Sequence, residues 1–207
     1  MHPNPKFRRT PEVKNIEFVR ERSFGVLAVN SKRAPLISHI PFQLSADGTY
    51  LEAHLVRVNP IVRLLENPIA AVIAVTGGDA YISPDWYGVE NQVPTWNYVA
   101  VHLRGTLKRL QNQELRGILD RLSENMENRL EPKIPWKIDK MDEDAYLSMS
   151  RQIIPIAMNV SNIEGTWKLS QNKPSDARIG AMNGAGDAQI GAEVNEIVKW
   201  MGRVESD

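Results

Sequence analysis

The 207-residue sequence has no cysteine. Disulfides and thiolate metal sites are excluded, and a reducing cytoplasm is the natural expectation. It also has no net charge, since 25 Lys and Arg balance 25 Asp and Glu. No overall basic field draws the chain onto nucleic acid, which counts against a stand-alone DNA binder but leaves room for a local patch. No apolar run is long enough to span a membrane. The start, MHPNPKFRRT, carries charge with no apolar stretch behind it, so no signal peptide is expected. Familiar catalytic signatures are missing as well. There is no GxSxG, HExxH or P-loop, and no GxGxxG after a strand. His2, His39, His54 and His102 lack the spacing of a one-helix metal site.

What the chain does have is concentrated between Tyr81 and Gly105, where two of five Trp and three of five Tyr fall. From Trp96 the residues alternate. Trp96, Tyr98, Ala100, His102 and Arg104 share one strand face; Asn97, Val99, Val101 and Leu103 share the other. A flat heteroaromatic ligand or a partner chain suits the first face. An ordinary strand with surface aromatics would look the same in isolation. Pro94 biases Val93 toward extended backbone, and Thr95, Trp96 and Asn97 then present a hydroxyl, an indole and an amide in succession.

Along the chain, Thr10-Pro11 opens a helix to about Arg22, with Val13, Ile16, Phe18 and Val19 as its buried side. Strands are predicted over 23–30, 34–44, 50–54, 69–75, 96–107, 153–160 and 164–169. Pro41 predicts a bulge or strand end. Asn59-Pro60 starts a short helix, and Gly77-Gly78 reads as a turn into Ala80–Ser83. Helices are predicted over 113–126, with Asn112 as cap, and over 142–152. The stretch 172–186 reads as mobile. Ile190, Val194, Ile197, Val198 and Met201 mark a final amphipathic helix docked on the body or on a partner. Many strands with short connections imply a mainly β chain with peripheral helices, a small antiparallel barrel. Residues 1–170 are expected to form the main domain and 171–207 a loop and helix packed on it or on a partner subunit.

Three polar constellations stand out. His54, Arg57 and Asn59-Pro60 deliver a strand histidine, a loop arginine and a capped helix start, a combination that suits a phosphate. On spacing alone, a capped surface helix with an unrelated arginine explains it better. Ser38-His39-Ile40-Pro41 and Lys168–Lys173 are more simply a structural histidine and a solvated turn.

Together the motifs resemble the PaiB family of FMN-binding negative transcriptional regulators. The matching pieces are Ser23-Phe24-Gly25, Ser38-His39-Ile40-Pro41, Ala53-His54 with Asn59-Pro60, Tyr81-Ile82-Ser83-Pro84 with Trp86-Tyr87, Val93 to Tyr98, Val101-His102, Gly105, and Lys168 to Asn172. They occur in the family's order, and the VPTWNY and KLSQN pieces are its most specific. The resemblance implies a split β-barrel like that of pyridoxamine-phosphate-oxidase-type flavoproteins, a homodimer, and FMN at the subunit interface. It implies that Ser38, His39 and Ile40 run beside the isoalloxazine ring, and that His54, Arg57 and Asn59 surround the phosphate and ribityl chain. Thr95, Trp96 and Asn97 would approach the ring, and Lys168 and Gln171 would close the site. Ala53 and Val58 stand where the family tends to have Gly and a small residue, and both are expected to crowd the phosphate turn.

Function then divides three ways. The resemblance implies a flavin-binding repressor, although no helix-turn-helix or basic stripe is evident. An FMN-dependent oxidoreductase with a nicotinamide donor would need no catalytic triad, because the flavin carries the chemistry. A haem-binding split barrel, with His39, His54 or His102 as axial ligand, is a third.

Overall fold

Alternating side chains along the strands sort themselves between the inside and the outside of a barrel. In the computed structural model, which describes residues 1–204, six strands close in the order β1-β2-β3-β6-β5-β4. They are β1 (Phe24–Val29), β2 (Leu36–Leu44), β3 (Tyr50–Val56), β4 (Ile69–Ile82), β5 (Thr95–Arg109) and β6 (Ile153–Lys168). β1 pairs antiparallel with β2 and β4, and β3 with β2 and β6. The end of the expected 171–207 tail lies outside the described residues.

The described chain forms two compact units. The first comprises Ile16–Val75 and His102–Ile163. Leu27, Phe42, Leu51, Leu55, Ile73, Leu103 and Ile154 are fully buried in it. Its helices are α2 (Leu115–Glu127) and α3 (Glu143–Ser150). α2 buries Leu115 and Ile118, and its Arg121 makes two hydrogen bonds, both 2.8 Å, to the Glu52 carboxylate on β3. Gln111, not Asn112, caps this region, in a reciprocal box with Glu114. The short helix after Asn59 is 3₁₀, over Pro60–Leu64.

Pro41 does not end its strand. β2 uses Leu36–Pro41 to pair with β1 and Phe42–Leu44 to pair with β3, so the proline sits where the partner changes. The outer side of the β2-β1-β4 ladder is largely apolar, with His39 as its polar member on β2. Ile37 is 62% and Phe24 54% exposed; Val26, Ala28, Val72 and Ala74 beside them are half-buried.

The second unit comprises Met1–Asn15, Thr76–Val101 and the chain from Glu164 on. It holds α4 (Ser175–Ala188) and α5 (Val194–Gly202). The predicted turn at Gly77-Gly78 is absent, and β4 runs straight on to Ile82. Gly78 serves a close approach instead: a Cβ there would lie 2.6 Å from the Glu193 carbonyl oxygen. The segment 190–193 pairs along this stretch, with Asp79 N donating to Ala192 O at 2.8 Å and Tyr81 N to Ile190 O at 2.9 Å.

The stretch expected to be mobile is largely α4. Its small residues serve packing: a Cβ on Gly180 or Gly184, one turn apart, would overlap Trp86. α5 buries Val194, Ile197 and Met201 as the periodicity predicts, while Ile190 precedes the helix and is 51% exposed.

Elsewhere α1 (Glu12–Arg22) buries Ile16, Phe18 and Val19 but leaves Val13 61% exposed. β6 is one strand where two were predicted; Ser161 and Asn162 are polar because they face solvent, not because the chain turns.

Candidate functional site

The first group of predicted residues lies in the unit that contains β1 to β3, where Ser38 and Asn59 are in contact. Asn59 uses both ends of its amide. Oδ1 accepts from Ile61 N at 3.0 Å, capping the 3₁₀ turn, and Nδ2 donates to Ser38 Oγ at 3.0 Å. Ser38 keeps its own hydroxyl proton available as a donor. Arg57 is exposed; its Nε donates to Arg151 O at 2.7 Å and its Nη2 to Ile153 O at 3.4 Å. Those carbonyls orient the guanidinium without neutralising it, and no carboxylate pairs with it among the described residues. The corner therefore offers a fixed cation with N–H groups to spare, and a hydroxyl donor set by the Asn59 cap.

His39 is exposed on the outer side of β2, opposite Val26 on β1. Ile40 faces inward and is 3% exposed, so only its backbone is open to a ligand. His54 points outward under α2. It lines a cavity of about 410 Å³ with Phe24, Pro41, Leu119, Leu122 and Met126. Its Nδ1 is buried without a hydrogen-bond partner, and burial pushes the imidazole below its ordinary pKa. The structure thus does not bring His54 to the Ser38–Asn59 pair. Of the two residues expected to crowd the phosphate turn, Ala53 is fully buried inside the barrel and Val58 is 79% exposed.

The second group lies in the other unit. Strand alternation separates Thr95 from Trp96. Trp96 is 45% exposed and meets Tyr81 edge-on, with ring centroids 6.0 Å apart. With Tyr98, Gly77, Gly78 and Asp79 it lines an open groove of about 390 Å³. This is the aromatic face that the alternation predicts.

Asn97 is fully buried and belongs to a knot. Its Nδ2 donates to Ser170 Oγ at 2.9 Å and to Met201 Sδ at 3.3 Å, and Tyr87 Oη shares a bond with Ser170 Oγ at 3.1 Å. Burial raises the Tyr87 pKa, with the Ser170 bond opposing it. Ser170 adopts φ +59°, a left-handed conformation that turns its hydroxyl chain segment at the end of β6.

Thr95 Oγ1 accepts from Lys168 Nζ. Lys168 has its pKa lowered by burial and then by the charge of Lys173, and its ammonium lies 5.9 Å from the centroid of the Phe7 ring. Gln171 is committed to the backbone: Nε2 donates to Trp167 O at 2.5 Å, and Oε1 accepts from Leu169 N at 2.8 Å. Sequence reasoning missed Ser170 as the partner of Asn97 and Tyr87 as the partner of Ser170, although both lie inside quoted motifs. A buried Asn on an apolar strand face is itself the signal that partners must exist.

FMN asks for a flat apolar or aromatic wall and for a cation that no carboxylate has claimed. In the unit that contains β1 to β3, Arg57 supplies the second and the outer side of β2 a wall; taken by itself, the other unit has an aromatic wall in its Trp96–Tyr98 groove. The residues present fit the group.

Comparison with known proteins agrees. The family described as "Putative FMN-binding domain" matches residues 1–162. "Protease synthase and sporulation protein PAI 2" of Bacillus subtilis is 33% identical over 172 residues, covering 82% of both chains. An uncharacterized protein of Emericella nidulans is 25% identical over 209 residues, covering 81% of this chain and 83% of its own. Among solved structures, an FAD and haem binding protein from Mycobacterium smegmatis overlays with a TM-score of 0.56 at 17% identity, over 78% of this chain and 73% of that one. A conserved hypothetical protein from Mycobacterium tuberculosis gives 0.56 at 13% identity, over 81% and 91%. At such identities the likeness establishes the fold alone, a split barrel. By its motifs, its barrel and the match over most of its length, this chain belongs to the PaiB family of FMN-binding split-barrel proteins.

Proposed function

We propose that the chain binds FMN as a homodimer and acts as a negative regulator of transcription. The phosphate sits at the corner of Arg57, Ser38 and Asn59. The isoalloxazine lies along the Ser38–His39–Ile40 segment, where Ile40 contributes backbone only. The second subunit brings Trp96 against the ring from the Thr95–Asn97 segment, with Lys168 behind it. Bound flavin would supply redox chemistry; the chain's own residues bind and orient it. The observation that carries this reading is the exposed Arg57 guanidinium, oriented by two backbone carbonyls and paired with no carboxylate among the described residues. An oriented guanidinium with N–H groups to spare is suited to a phosphate.

Support for the dimer is the exposed apolar outer side of β2, β1 and β4, with Ile37 and Phe24 more than half exposed. Support for regulation comes from the family and from a relative whose name ties it to protease synthesis and sporulation. With zero net charge, any DNA contact must come from a local patch of the dimer.

The test is an absorbance and fluorescence titration of the full chain with FMN. One bound flavin per subunit is expected, with affinity weakened about tenfold or more in Arg57→Ala, the loss of a charged hydrogen bond. No flavin uptake, or an unchanged affinity in that variant, overturns the reading. A promoter-fragment retardation assay tests the regulatory half separately.

A further inference from the structure

A basic cleft lies in the unit that contains α4 and α5, and it shares no residue with Arg57, Ser38 and Asn59 of the other unit. Its volume is about 360 Å³, and Lys6, Arg9, Thr10, Lys14, Trp200 and Arg203 line it, with Trp167, Leu169 and Gln171 at its floor. The four cations come from three places in the chain: the N-terminal segment, α1 and the residue after α5. No acidic side chain lines the cleft, and none of the four pairs with a carboxylate among the described residues. The whole chain is electrically neutral, so this is a matter of placement, not composition.

Lys14 is held over the Trp167 ring, 4.9 Å from its centroid, and Trp200 meets Trp167 edge-on at 5.2 Å. A cation–π contact orients an ammonium without cancelling its charge. Four like charges converging on one concavity repel each other unless an anion occupies it.

We propose that this cleft binds a nucleoside di- or triphosphate. Such a ligand carries about three to four negative charges, which matches four cations of this kind. Lys6, Arg9, Lys14 and Arg203 take the phosphates, and the half-buried Trp200 indole takes the base. Thr10 adds a hydroxyl at the rim. Of the residues that line it only Gln171 was also assigned to FMN, and none of the four cations was, so the proposal stands or falls independently of the flavin reading.

The experiment titrates the full chain with ADP, ATP, AMP and inorganic pyrophosphate by calorimetry and tryptophan fluorescence. Expected are saturable binding of ADP and ATP, weaker binding of AMP, and quenching of indole emission by the nucleotides but not by pyrophosphate. Affinity falls as salt rises. The double charge reversal Lys14→Glu with Arg203→Glu weakens ATP binding about tenfold or more while leaving FMN binding unchanged. Should that variant melt early, Lys6→Gln and Arg203→Gln, both at exposed positions, are each expected to weaken binding severalfold. No binding at millimolar nucleotide, equal binding after charge removal, or retention of duplex DNA with no mononucleotide binding would each overturn the proposal.

Discussion

The Arg57 corner and the Asn97 knot use the same residue types to opposite ends. Each has an asparagine whose amide reaches a serine: Asn59 to Ser38, and Asn97 to Ser170. In the knot every partner is buried, and the bonds tie the start of β5 to the end of β6 and to Met201 of α5. In the corner the bonds stop at the surface and leave an oriented guanidinium with hydrogen-bonding capacity unused. The difference lies in burial, which decides whether a polar cluster is a brace or a receptor. Inside, an unmade bond costs too much to keep open; at the surface, water holds the place until a ligand arrives.

The sharpest way to break this contrast is to remove each member in turn. Asn97→Ala should destabilise most, by about 2–4 kcal/mol, because it leaves a cavity and strips the buried Ser170 hydroxyl of its amide partner, leaving it only Tyr87. Chemical denaturation measures it, and FMN affinity per folded molecule should barely move. Arg57→Ala should do the reverse, with a melting temperature close to that of the parent and flavin affinity down about tenfold or more. If Arg57→Ala instead unfolds the chain, the corner is a brace as well.

Smaller still is Asn59→Ala. Losing the cap on Ile61 N should cost about 1 kcal/mol, with a modest fall in FMN affinity because Ser38 loses the partner that sets its hydroxyl. A readout of both stability and affinity places this residue between the two classes.

The smallest effect belongs to His54, and it shows only with pH. Burial lowers its pKa in the folded state. The unfolded chain therefore takes up the proton first. The stability that His54 contributes is intact above its unfolded value, about 6.5, and drains away as pH falls below it. Melting curves from pH 8 to pH 5 should fall less steeply in His54→Leu than in the parent.

Much of the barrel was legible because strand burial has a period of two. The faces of β5 follow the alternation from Asn97 to Leu103 residue by residue. Capping signals also transferred, at Asn59 directly and at α2 within a residue. Reading failed where one local signal served a distant purpose. Gly77-Gly78 reads as a turn, and the small residues of α4 read as loose chain. Both reflect another segment packed close: residues 190–193 along β4, and Trp86 under α4. The candidate site divided in the same way. Exposed Trp96 and Arg57 could be picked from their motifs, but the fates of Asn97, Gln171 and His54 depended on what the fold set beside them.

Composition and periodicity by themselves determined a cysteine-free, neutral chain of alternating strands, and its ordered motifs determined the family. These are properties of local spacing, which each segment carries wherever it lies. Which polar groups are sealed and which stay open was decided only by tertiary structure. That choice depends on residues far apart in sequence, such as Asn97 with Met201 and Lys14 with Trp167, whose meeting no local pattern encodes.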